Sequence, residues 1–94
     1  MKYLVVLDVR SPIGSIYGSG SNDGFVSDGE LRHPVLNCTE IGTDSPYYLY
    51  AKRVFSKQAD DYQALHIPHS SVVAIHHYAD TGPRPVGFVP ANGA

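Results

Sequence analysis

No ten-residue stretch of this 94-residue chain carries a 3.6-residue apolar period without a glycine or proline inside it, so no helix is expected. What remains are short runs rich in β-branched and aromatic residues, parted by turn-forming clusters. Residues 3–9, YLVVLDV, place Tyr3, Val5, Leu7 and Val9 on one face of a strand. RSP turns the chain. IGSIY, residues 13–17, resumes an extended run in which Gly14 and Gly18 bracket Ile16, the pattern of a bent or bulged strand. GSGSNDG, residues 18–24, reads as a loop. Asp28-Gly29 is a hairpin signal inside FVSDGEL. HPVLNCTEI, residues 33–41, is a strand with Pro34 at its start, where a missing N–H costs least.

After the turn cluster GTDSP, the run YYLYAKRVF at 47–55 reads as a long strand, and SKQADDYQ at 56–63 as the loop of a long hairpin. A strand at 64–68, a sharp turn at His69–Ser71 and a strand at 72–78 follow. Five or six short strands of this spacing point to a small all-β barrel or sandwich. At this length a small, strongly bent five-stranded barrel is the economical form, because closure removes exposed strand edges. The domain is expected over residues 1–80. An irregular tail over 81–94 follows, rich in proline and glycine, with Val86, Phe88 and Val89 free to pack.

The net charge of −2 argues against a general phosphate-backbone binder but leaves room for a local pocket that reads a few nucleotides. A single cysteine, Cys38, excludes an internal disulfide. The N-terminal apolar run stops at Asp8, too early for a secretory signal, and no run reaches the length of a membrane span. A cytoplasmic protein is expected, with no membrane role.

Four histidines, His66, His69, His76 and His77, crowd residues 64–78. Strand alternation puts His77 with Val73 and Ile75, and His76 on the other face with Val72, Ala74 and Tyr78, so the adjacent pair cannot both serve one metal unless the strand bulges. No cofactor is expected. Cys38 on an apolar-flanked strand reads as a small buried hydrophobe, and Ser70 and Ser71 as turn formers, so no catalytic residues are expected. Tyr47, Tyr48 and Tyr50 with Lys52 and Arg53 have the composition of a base-stacking platform, and more readily that of an ordinary aromatic strand.

The order of these strands, with IGSIYG at 13–18, VLNCTE at 35–40 and IPHSSVVAI at 67–75, resembles the Sm-like family of small bent SH3-like barrels. The first two segments are similar to the second and third strands of the family's first motif, and the third to its second motif. Where that motif usually has Arg-Gly, this chain has Pro68-His69. The resemblance implies a non-enzymatic, homo-oligomeric ring that takes RNA or a nucleotide through loops facing its pore. The matching positions are His33, Pro68 and His69, and the platform adds Tyr48, Tyr50 and Lys52 as nucleic-acid contacts. The alternative is a structural or protein-interaction module of the same fold that binds no nucleic acid.

Overall fold

The computed structural model describes residues 2–54, 61–78 and 88–90. Its elements are β1 (Lys2–Leu7), α1 (Pro12–Gly18), β2 (Gly24–Asp28), β3 (Leu31–Cys38), β4 (Glu40–Gly42), β5 (Tyr48–Val54), β6 (Tyr62–Pro68), a 3-10 turn at His69–Ser71, β7 (Val72–Tyr78) and β8 (Phe88–Pro90). The fold is all-β apart from α1 and the 3-10 turn. One antiparallel sheet runs β7-β1-β3-β2-β8 and a second runs β4-β5-β6. Among the described residues the two sheets do not close into a continuous barrel. They join at two corners instead. At the first, β3 pairs with β1 and then, past Thr39, continues as β4 against β5. The Thr39 N–H donates to the Lys52 carbonyl at 2.9 Å, which fixes that corner. At the second, the 3-10 turn carries β6 into β7, which pairs with β1.

The sharp turn expected at His69–Ser71 is there, and the last long strand meets the first. The Asp28-Gly29 hairpin is also there. Asp28 pairs with Leu31 across the two-residue loop, and Gly29 has φ +62°. A glycine at the first loop position with positive φ is the signature of a II′ turn, whose twist suits the flanking strands.

β1 is buried on both faces, because Leu4, Val5, Val6 and Leu7 are all inaccessible. Val5 and Leu7 face the main core with Leu36, Cys38, Leu49, Ala51 and Ile67. These residues come from both sheets, so the main core lies between them. Leu4 and Val6 face a smaller core with Val35, against which Val26, Ala74 and Phe88 pack.

Three expectations are corrected. Residues 13–17 are not a strand, because α1 occupies Pro12–Gly18. The reason is local. The Ser11 Oγ accepts from the Gly14 N–H at 3.0 Å as an N-cap, and Pro12 supplies a preset helical φ in the first turn. The Ser11 N–H and hydroxyl both donate to the Asp8 carbonyl, which ties the helix start to the end of β1. The IGSIYG likeness to a motif strand therefore fails in backbone conformation. Second, Pro34 lies within β3 rather than at its start. It is tolerated because the ladder to β1 stops at Val35 and the β2 ladder begins there with Phe25 opposite Pro34. Third, the tail beyond residue 80 is not wholly irregular: Phe88–Pro90 form β8 on the outer edge of β2. Phe88 does pack, whereas Val86 lies outside the described residues.

The register of β1 and β7 slips between Val6, opposite Ala74, and Leu7, opposite Val72. Val73 is the extra residue of a β-bulge. Beyond the bulge His76 and His77 fall on opposite faces, as alternation requires, but Val72 moves to the main-core side with Leu7.

Gly14 is the most constrained position in the helix. A Cβ there would lie 1.7 Å from the Asp8 carbonyl oxygen. Backbone cannot yield that space cheaply, so Gly14→Ala is expected to lose about 2 kcal/mol, in the usual range for overpacking. Urea denaturation checks this, with Gly20→Ala as the control because nothing lies within 4 Å of its added carbon.

Candidate functional site: the outer face of the three-stranded sheet

Along β5 the inward residues Leu49, Ala51 and Arg53 are buried, and the outward set is Tyr48, Tyr50, Lys52 and Val54. Register carries that face onto both neighbours. Tyr48 opposes Pro68, Tyr50 opposes His66, Lys52 opposes Ala64 and Val54 opposes Tyr62. On the other side Gly42 opposes Tyr50, and Glu40 opposes Lys52. Directly opposed residues share a face, so aromatic rings dominate one solvent-facing surface.

The contacts on that surface are specific. The Tyr50 and His66 rings meet edge to face, with centroids 5.7 Å apart. The Lys52 ammonium lies 3.6 Å from the Glu40 carboxylate and 4.8 Å from the Tyr62 ring centroid. His69 anchors the end of the sheet, its N–H donating to the Tyr47 carbonyl at 3.0 Å. Its Nε2 donates to the Ser45 carbonyl at 2.8 Å. Tyr48 is 47% exposed and Tyr47 is more so. A groove of about 340 Å³ opens here, with Gly42, Asp44, Ser45, Tyr48, Tyr50 and His66 along it.

Five of the six residues expected to contact nucleic acid thus gather at one sheet: Tyr48, Tyr50, Lys52, Pro68 and His69. His33 does not join them. It lies in β3 of the other sheet and is 1% exposed. Its Nδ1 accepts the Val9 N–H at 3.2 Å, and its Nε2 faces the Asp28 carboxylate at 3.7 Å. His33 therefore holds the chain as it leaves β1, and its ring offers no face to a base. Arg53 is also withdrawn from the platform. It is 3% exposed, its guanidinium donates to the Asp23 carboxylate and to Gln63 at 3.2 Å each, and Tyr17 packs over it.

Several participants escaped the sequence reading. His66 was visible in principle, since counting by twos from Pro68 puts it on the Tyr48 side. Asp44 and Ser45 read only as turn residues. The Ser45 Oγ accepts from the N–H groups of Tyr47 and Tyr48 at 3.3 and 3.2 Å and so starts β5. Asp23, inside the glycine-serine loop, becomes the partner of a buried arginine and also accepts the Asn37 N–H at 2.7 Å.

The catalytic residues weighed from sequence take structural places. Ser71 is buried, and its carbonyl accepts the Asp8 N–H at 2.8 Å. Cys38 is buried in the main core. Burial pushes its thiol up to about 12, against the slighter opposing pull of Arg53. Among the described residues no group of three His, Cys, Asp or Glu side chains is placed to hold a metal ion. Among the described residues no helix is long and apolar enough to cross a membrane. No protein-family model, curated protein or solved structure matches this chain.

A thiol that stays protonated to about 12 in the folded state, from an ordinary 9.0, has a definite linkage sign. Its burial favours the fold fully below the ordinary value, and that contribution is lost as pH rises through the folded one. The native chain is therefore expected to resist thiol reagents at neutral pH and to react with one equivalent after denaturation. Its midpoint in urea should fall as pH climbs above 9. Rapid labelling of the native protein would overturn the burial of Cys38.

Proposed function

We propose that this chain is a non-enzymatic interaction module that assembles with copies of itself by strand addition. The observation that carries this reading is β7. It is a seven-residue strand on a sheet edge, VVAIHHY, with no acidic or basic residue other than its histidines. Val73 is 51% and Ile75 38% exposed. Monomeric proteins blunt such edges with charge, proline or a covering element. β6 is one edge of the second sheet; it ends in Pro68, and its residues before that proline include no Lys, Arg, Asp or Glu. Pairing β6 of one copy with β7 of the next is a heterologous contact, which closes into a ring when the rotation per subunit permits. That supports the ring implied by the Sm-like resemblance.

A second reading concerns the ligand. The clustering of Tyr48, Tyr50, Lys52, Pro68 and His69 at one sheet supports a short RNA strand stacked on the tyrosines. Among the described residues Lys52 is the fixed cation of that face, and Glu40 already neutralises it, so the binding would come from stacking with a shallow salt dependence.

Native mass spectrometry at micromolar concentration tests assembly. A closed oligomer is expected, reduced to monomer by the double substitution Val73→Lys and Ile75→Lys with an unchanged circular dichroism spectrum. A wild-type monomer would sink the assembly reading. For the ligand, filter binding with oligo(U) and oligo(A) should show retention that Tyr48→Ala removes. Absence of retention at low salt discards RNA.

A further inference from the structure

The groove beside Tyr48 has the chemistry of a cation site. Of its lining residues, Tyr48, Tyr50 and His66 contribute ring surface, and Asp44 is the one side chain with a fixed charge. The electron-rich faces of aromatic rings attract cations, and a carboxylate beside them adds to that field. The chain's net charge of −2 has the same sign. Gly42 keeps the groove open. A Cβ at that position would already touch the Tyr50 side chain at 3.4 Å, and a longer side chain would cover the ring.

Hydrogen bonding narrows the cation further. The Ser45 carbonyl is taken by His69, and the Ser45 Oγ accepts from two backbone N–H groups. Among the lining residues Asp44 supplies the acceptor that carries a full charge. A primary ammonium is strongly hydrated and brings three N–H donors that need partners. An ammonium whose hydrogens are replaced by methyl groups brings none, sheds water easily and presents carbon to the rings.

The rim indicates how the cation arrives. Sites for free small molecules enclose most of their ligand. This groove lies open on a sheet face, with the half-exposed ring of Tyr48 along it, which suits a side chain carried by a larger partner.

We propose that the groove between β4, β5 and β6 binds a methylated lysine side chain of a protein partner. This rests on the interaction-module reading and adds a partner besides the chain's own copies. The test uses the full chain and three glycine-serine peptides that differ at one residue: trimethyllysine, unmodified lysine, or the uncharged tert-butyl isostere of trimethyllysine. Binding is followed by NMR shifts of the groove residues. The trimethyllysine peptide is expected to bind about tenfold tighter than the isostere, as a partly desolvated cation–π contact gives. Asp44→Asn should weaken it severalfold, and Tyr48→Ala should abolish it with the spectrum of the main core unchanged. Equal binding of the isostere, tighter binding of unmodified lysine, or an unaffected Asp44→Asn variant each overturns the proposal. Free choline binding as tightly as the peptide overturns the protein partner, and an oligonucleotide displacing the peptide at lower concentration overturns it in favour of RNA. Sedimentation of the same samples reads assembly separately, so a monomer that still binds trimethyllysine refutes the ring alone.

Discussion

The structure depends on a strand with no solvent face. Leu4 to Leu7 are four apolar residues in succession, and each sits in a core. Burying alternate residues on opposite sides of one strand requires a packed layer on both. The β4-β5-β6 sheet covers one side through Leu49, Ala51 and Ile67, and Phe88 packs on the other. Hydrogen bonding to β3 and β7 fills both edges of β1. Removing any of these neighbours uncovers Val or Leu, each worth roughly 1.5–3 kcal/mol when fully buried. The two corners, at Thr39 and at the 3-10 turn, are what permit so small a chain to wrap one strand.

Most strands were legible because their signals are local. The Asp28-Gly29 turn, the aromatic run of β5 and the break at His69–Ser71 each carry their cause within a few residues. The helix was misread because IGSIY alternates like a strand. The deciding information sat just upstream, where Ser11-Pro12 is a cap followed by a helix-starting proline. β8 was illegible for a different reason. Three residues cannot specify a strand, and Phe88–Pro90 take theirs from the free edge of β2.

The surface site was legible in composition but not in geometry. Period two along β5 separates Lys52 from Arg53, so the apparent basic pair divides into a surface lysine and a buried arginine. The partners that settle the chemistry of the face come from register across strands. His66, Gly42 and Glu40 lie far from Tyr50 and Lys52 in sequence and directly opposite them in space. His33 shows the converse. Its residue type suggests a ligand contact, yet its position gives it a backbone N–H to accept and no solvent to reach.

β8 lies at the far edge of the sheet in which β1 is second from the other edge. β1 thus lies in one sheet with β8, and Tyr3 stacks on His77 from far along the sequence. Contacts of such separation form only after long loops have closed, which slows folding. During synthesis the Leu4–Leu7 segment stays uncovered until β7 and Phe88 are available. The apolar strand that anchors the finished domain is therefore also one that a nascent chain leaves exposed until its later strands have formed.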